Sequence, residues 1–223
     1  MDTKVEKAKR FITFIKKDST TSCLAFTLYF LIMPIFMDVS FPLILDVIYT
    51  IAYAVVGFLC LATCFIKKQC IFEKKEETGI KKILKEILMY IPVILLSIFI
   101  NFLLVEHFGG KSANQSSLDE SFKEYPIWFS ITTVILAPII EEFIFRFLPY
   151  KFIKNKILYI LLSTVVFATM HVSNDPYAFY FIWFYMTEPL YYGYRYHKTK
   201  NIWVTVLLHS LHNLICLLAK IFS

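Results

Sequence analysis

The sequence lacks the cysteine pattern of a disulfide framework or a zinc knuckle. Its five cysteines include no CxxC pair and lie mostly inside or beside apolar runs, so we interpret them as reduced packing residues. An HExxH motif, which would put two zinc ligands and a glutamate on one helix, is also absent. The chain has no internal repeat and no second domain, which disfavours a transporter built from two related halves.

Charge is scarce and apolar residues are in excess. Of 223 residues, 58% are hydrophobic, 18% are aromatic and 18% are charged, with a mean hydropathy of +0.62. These values exceed those of ordinary soluble domains, so the composition predicts an all-α, polytopic membrane protein. The formal charge of +6 is distributed as expected for lipid head groups and membrane topology, and we expect no nucleic-acid partner.

Seven apolar runs follow a basic amphipathic segment, residues 1–20, which we expect to lie on the membrane surface. Several runs are near the ~20 residues needed to cross a bilayer, and the fifth is short. The runs are 21–37, 47–66, 87–105, 126–147, 157–171, 177–194 and 202–219. We interpret the polar stretch 106–125 as a flexible loop on the outer side.

Basic residues indicate the orientation of the chain, because they favour cytoplasmic loops. With the amino terminus in the cytoplasm, 20 of the 23 lysines and arginines fall in cytoplasmic segments. The sequence therefore predicts seven transmembrane helices, a cytoplasmic amino terminus and an external carboxy terminus. We expect a multi-pass protein of the bacterial plasma membrane.

Two adjacent carboxylates, Glu141 and Glu142, lie at the end of an apolar run, where ionisable side chains usually face a protein interior or a water-filled cavity. On a helix, Arg146 lies about 40° around the axis from Glu142 but about 140° from Glu141. We therefore expect Arg146 to neutralise Glu142 and to leave Glu141 as a base. The alternative is an interfacial cluster in which all three residues only solvate a helix end.

Three histidines lie in later apolar runs. His171 ends the fifth run, and His209, His212 and Asn213 fall within an arc of about 100° on the seventh. These side chains could converge with Glu141. Taken singly, each histidine has the alternative of a hydrogen-bonded packing residue.

Glu188 is a further carboxylate at membrane depth, next to Pro189. We interpret it as part of a helix break, or as the partner of a donor that the sequence does not identify.

Three short motifs occur in order on successive apolar helices. They are Glu141-Glu142-x-x-x-Arg146, Phe167-x-x-x-His171 and His209-x-x-x-Asn213. Together they resemble the CAAX prenyl protease and bacteriocin-processing family, also called the Abi family of intramembrane peptidases. The resemblance covers residues 128–218. Phe147 departs from it, since many relatives have a small residue there, and we expect this to affect packing or substrate shape.

The resemblance implies an intramembrane endopeptidase, a hydrolase that cuts a peptide bond with glutamate-activated water. In the family, the first glutamate and the histidine of the second motif activate water, while the histidine and asparagine of the third stabilise the oxyanion. By position these catalytic residues are Glu141, His171, His209 and Asn213. Supporting roles are expected for Glu142, Arg146, Phe167 and His212.

The family also implies a division of the chain and a class of partner. We expect a cytoplasmic segment (1–20), amino-terminal membrane helices with the polar outer loop (21–125) and a catalytic core (126–223). The substrate is expected to be a peptide or a membrane protein within the lipid bilayer. The alternatives are a bacteriocin self-immunity or regulatory membrane protein of the same family, or a small proton-coupled transporter.

A metal site is a separate question. His171, His209, His212 and a glutamate could ligate zinc, but the charge of Arg146 beside the glutamates disfavours a cation. We therefore expect a site without metal or other cofactor, with zinc ligation as the alternative.

The expected depths of these residues in the membrane do not agree. Counting ~1.5 Å per residue, His209 and Glu141 lie about 10–12 Å from the cytoplasmic ends of their spans, whereas His171 lies about 20 Å deep. Straight, untilted spans do not bring them together. Either the fifth span begins nearer residue 151 and tilts, or the chamber reaches the middle of the membrane.

Overall fold

The computed structural model describes residues 80–222, together with the isolated Val55. Within residues 80–222 the regular elements are all helices, as predicted for the fold class. They are α1 (Ile80–Phe108), α2 (Ala113–Glu124), α3 (Pro126–Phe152), α4 (Lys156–Val172), α5 (Ala178–Thr199) and α6 (Ile202–Ile221). These helices belong to one compact unit, Lys74–Ser223.

Three of the described helices are long and apolar enough to cross a membrane. They are Lys81–Phe108, Pro126–Phe152 and Ile202–Ile221, and Lys156–Val172 is a shorter apolar helix, as predicted for the fifth run. The basic segment 1–20 and the runs 21–37 and 47–66 lie outside the described residues, apart from Val55. The total of seven spans and the cytoplasmic amino terminus therefore stay predictions.

The polar stretch 106–125 is not the flexible loop that its composition suggested. Helix α1 ends at Phe108 because Gly109 adopts the left-handed conformation, with φ 70°, and donates its N–H to the carbonyl of Val105. Helix α2 then begins after Ser112, whose Oγ accepts the N–H of Gln115 at 3.3 Å. A side-chain cap thus starts a helix where small polar residues predicted a loop.

Helix α3 widens into π-helix twice, over Thr132–Leu136 and Phe143–Phe147. Each π-helical segment is followed, two residues after its end, by a proline: Pro138 and Pro149. Proline has no N–H, and its ring clashes with the carbonyl four residues earlier, which in both cases lies inside the π-helical segment. Widening the helix at that point accommodates the ring and frees carbonyl groups for partners on other helices.

The helices pack around α5, which contacts α4, α1 and α6, while α6 also contacts α3 and α1. A buried cluster of Tyr90, Ile94, Tyr192 and Leu208 joins α1, α5 and α6. The hydroxyl groups of Tyr90 and Tyr192 are 2.6 Å apart, so the two buried tyrosines satisfy each other. This junction fixes α6 against α5. Helix α6 carries His209 and Asn213, the two named residues of the third sequence motif.

Helix α1 buries some polar side chains and exposes much of its apolar surface. Glu86 and Ser97 are buried, whereas Leu88, Leu95 and Phe102 are exposed. Glu86 forms a buried ion pair with Arg195 of α5. An apolar exposed face of this extent fits contact with lipid tails.

Candidate active site

Glu142 and Arg146 form a fully buried ion pair on α3. Both side chains have 0% exposure, and Arg146 Nε lies 3.5 Å from Glu142 Oε2. Arg146 also donates to the carbonyl groups of Phe145 at 3.2 Å and of Ser163, on α4, at 3.3 Å. The pair predicted from the helical spacing is thus present, and it also links α3 to α4.

Glu141 is the carboxylate that Arg146 leaves unpaired. Its residue is 8% exposed, and its Oε2 lies 3.7 Å from Nε2 of His209. Glu141 therefore faces the imidazole of His209 and not a guanidinium group.

His209 lies between the two glutamates. Its Nδ1 is hydrogen-bonded to Glu142 Oε1 at 3.0 Å, while its Nε2 faces Glu141. The ring stacks on Tyr192 with centroids 5.4 Å apart and meets the edge of Phe167 at 6.0 Å. Both the orientation of the imidazole and its contact with each carboxylate are therefore fixed by three other helices.

His171 is held by its own helix and by α5. Its Nδ1 lies 2.9 Å from the carbonyl oxygen of Phe167, and its ring stacks on Phe167 at 4.3 Å and lies 5.3 Å from Tyr185. Because a carbonyl can only accept, this bond requires hydrogen on Nδ1. In the neutral ring Nε2 is then the free base.

The ring of Phe167 lies close to two histidines whose counted depths in the membrane differ. It contacts His171 on α4 and His209 on α6, so a single aromatic ring separates two histidines that straight spans would keep apart. Helix α4 begins at Lys156 and not near residue 151. An earlier start of the fifth span is therefore not what brings the motifs together.

Asn213 ties α6 to the first π-helical segment of α3. Its Nδ2 donates to the carbonyl oxygen of Thr133 at 2.8 Å. A carboxamide nitrogen carries two hydrogens, so one donor remains for another acceptor.

His212 faces α5 and not the paired glutamates. Its Nδ1 lies 3.0 Å from Glu188 Oε1, and its Nε2 lies 3.4 Å from Sγ of Cys216. His212 is therefore the donor that sequence reasoning left unidentified for Glu188.

Two tyrosines of α5 were missed as neighbours of the motifs. Tyr185 lies beside His171, and its hydroxyl bonds Ser112 Oγ at 2.8 Å and Asn114 Nδ2 at 3.1 Å. Tyr192 stacks on His209. Sequence reasoning treated both as interface or packing aromatics, and nothing in their spacing distinguishes them from the other aromatic residues of this helix.

The zinc ligand set considered from the sequence is not assembled within residues 80–222. No group of three or more His, Cys, Asp or Glu side chains in this part of the chain is arranged to hold a metal ion. Nδ1 of His171 is bonded to the Phe167 carbonyl oxygen, and Nδ1 of His212 lies beside Glu188.

Residues 123–215 match the family model described as Type II CAAX prenyl endopeptidase Rce1-like. The match confirms the resemblance drawn from the three motifs. A protein of Mycoplasma capricolum subsp. capricolum, described as uncharacterized, is 31% identical over 122 residues, which cover 51% of this chain and 36% of that protein. The UPF0177 protein YajF of Lactococcus lactis subsp. lactis is 26% identical over 158 residues, which cover 69% of this chain and 76% of that protein. No solved structure matches the chain.

Proposed function

Residues 123–215 carry an Rce1-like domain of the type II CAAX prenyl endopeptidase family, and on this premise we propose that the protein is an intramembrane endopeptidase. Its substrate is a peptide or a membrane protein that reaches Glu141 from within the bilayer. The observation that carries the proposal is the division of the two glutamates: Glu142 is paired with Arg146, and Glu141 is not.

In the proposed reaction Glu141 takes a proton from water, and the resulting hydroxide attacks the scissile carbonyl carbon. A carboxylate that is not paired with an arginine is free to act as a general base. His171 is the second group that can take up and return a proton, through the Nε2 that its bond to Phe167 leaves free. When the tetrahedral intermediate collapses, the peptide C–N bond breaks, and the proton taken from water passes from Glu141 or His171 to the nitrogen of the leaving amine.

The negative charge that develops on the carbonyl oxygen needs hydrogen-bond donors. The second amide hydrogen of Asn213 is one donor. His209 is the other: with hydrogen on both ring nitrogens, Nδ1 donates to Glu142 and Nε2 donates on the side of Glu141, where the oxyanion develops. One such donor typically contributes about 10²–10³ in rate.

Substrate profiling tests the proposal in cells. Wild type, Glu141→Gln and an exposed control, Glu120→Gln, are expressed at equal abundance, and new peptide amino termini are quantified by mass spectrometry. We expect termini that appear with wild type and Glu120→Gln and are absent with Glu141→Gln. Identical termini in all three would leave a non-catalytic family member, such as an immunity protein, as the better interpretation.

A further inference from the structure

A second group of reactive side chains lies further along α6, toward its carboxy-terminal end. His212 stands between Glu188 of α5, 3.0 Å from its Nδ1, and Cys216, 3.4 Å from its Nε2. Glu188 is 8% exposed, and its Oε1 has no hydrogen-bond partner among the described residues besides this ion-pair contact. Cys216 is a free, exposed cysteine. None of the three residues carries a role in the proposed peptidase reaction.

The order carboxylate, imidazole, thiol is the arrangement that activates a cysteine nucleophile. The imidazole accepts the thiol proton, and the carboxylate orients the ring and stabilises its charge. Oε1 of Glu188 has no hydrogen bond to another described residue, so the interaction of this atom is with the imidazole of His212. The exposed thiol is then the end of the group that a reagent can reach.

Cys216 lies near the carboxy-terminal end of α6. It lies four residues before Lys220, whose Nζ binds Asp119 of α2 at 2.5 Å. Four residues span about 6 Å along a helix, so the thiol lies one turn from a charged pair at the polar end of α6. The ammonium of Lys220 adds a positive charge on the same helix face.

We propose that Glu188, His212 and Cys216 form a second reactive centre, in which Cys216 is a nucleophilic thiol that takes soft carbon electrophiles. The thiol proton moves to His212 Nε2, and a sulfur electron pair forms the S–C bond. The leaving group departs with its bonding electrons, and the imidazole releases the proton to water. With iodoacetamide the products are carbamidomethyl Cys216, iodide and a proton, with no oxidant or reductant required.

The charged and titratable groups that face this centre set its pH response. Glu188, Tyr185 and Tyr192 face it from α5, Tyr90 faces it from α1, and His212 and Lys220 belong to α6 itself.

The test measures the rate at which iodoacetamide alkylates Cys216 in the full-length protein in lipid nanodiscs. Trypsin cleaves after Lys200 and after Lys220. The resulting peptide 201–220 contains Cys216 as its one cysteine, so mass spectrometry of the digest reports the alkylation of this residue alone. Rates at pH 6.0 and pH 8.5 are compared for wild type, His212→Gln, Glu188→Gln and the exposed control Glu106→Gln. Wild-type protein unfolded in detergent and urea gives the reference rate of a thiol without neighbouring groups.

An ordinary thiol loses about tenfold in rate for each pH unit below its pKa of about 8.5. We expect native wild type at pH 6.0 to react about tenfold faster than the unfolded protein and than His212→Gln, with Glu188→Gln also slowed and Glu106→Gln unchanged. At pH 8.5 the differences should shrink to about threefold or less, because a thiolate of low basicity is also less nucleophilic. A native rate at pH 6.0 equal to or below that of the unfolded protein overturns the proposal, and this comparison needs no variant to fold.

Discussion

Asn213 donates a hydrogen bond to the carbonyl oxygen of Thr133, 2.8 Å away, and thereby joins the third sequence motif to the π-helical segment that precedes the first. The carbonyl is available because the helix is widened there, next to Pro138. Asn213 thus positions α6 against α3 and has a second N–H for another acceptor.

The bond between Asn213 and Thr133 predicts the effect of replacing the carboxamide by a carboxylate. In Asn213→Asp the side chain can only accept, so the Thr133 carbonyl loses its donor and a negative charge faces the developing oxyanion. We expect cleavage to fall by about 10²-fold or more and stability to fall by about 1–3 kcal/mol. Peptide cleavage and thermal unfolding of the purified protein measure the two effects.

A metal site would respond to the same substitution in the opposite way, because carboxylate is the better metal ligand. The assays are therefore repeated with a chelator and accompanied by elemental analysis. An active Asn213→Asp variant with stoichiometric zinc and chelator-sensitive cleavage would identify a metallopeptidase instead. His212→Ala is the companion variant, and since His212 faces Glu188 we expect it to cost less activity than His209→Ala.

The orientation of the chain is tested by cysteine labelling in a background without native cysteines. Ser116 of α2 and Lys198 at the end of α5 are both exposed and lie in segments predicted to be on opposite sides of the membrane. We expect a membrane-impermeant maleimide, added to intact cells, to label a cysteine at Ser116 and not one at Lys198 until the membrane is opened. Labelling in the reverse pattern would reject the predicted orientation.

Sequence reasoning predicted the parts of the site that depend on local spacing. The ion pair of Glu142 and Arg146 follows from their helical separation of four residues. It forms although Arg146 lies in the π-helical segment Phe143–Phe147. The apolar runs likewise predicted where most described helices lie, because a membrane helix must be continuously apolar.

Contacts between helices were beyond the same reasoning. His209 lies 67 positions from Glu142 in the sequence, and its place between the two glutamates depends on how α6 packs against α3. The turn of His212 toward Glu188 depends on α5 in the same way. Helix α2 was missed for a different reason: two glycines and a run of small polar residues at its start indicated a loop, whereas the cap at Ser112 starts a helix there and a bond from Ser112 to Tyr185 holds this start against α5.

Asp119 predicts how the attachment of α2 depends on pH. Burial raises the pKa of Asp119, but hydrogen-bonded Lys111 and Lys220 outweigh it and hold this pKa below its usual value. The stabilisation is therefore fully present above the unfolded pKa of about 3.9 and is lost as the pH falls through the lower folded value. We expect wild type to unfold at a higher temperature than Asp119→Asn at pH 7, with the difference shrinking below pH 4. A difference that grows on acidification would contradict this ion-pair assignment.

The two adjacent glutamates should respond differently to the same isosteric change. Glu141→Gln removes the proposed base but breaks no arginine pair, so we expect cleavage to fall by about 10²-fold or more while the amount of folded protein stays normal. Glu142→Gln removes the counter-ion of Arg146, and Arg146→Ala leaves Glu142 with its hydrogen bond to His209 alone; removing one member of such a fully buried ion pair costs about 3–5 kcal/mol. Folded yield by size-exclusion chromatography and cleavage per folded molecule separate the two effects. The double variant Glu142→Gln with Arg146→Met leaves no unpaired charge and should recover part of the folded yield, since His209 still has Glu141 beside it. If Glu141→Gln cleaves as well as wild type, water activation by Glu141 is wrong, whatever the yields of the other variants.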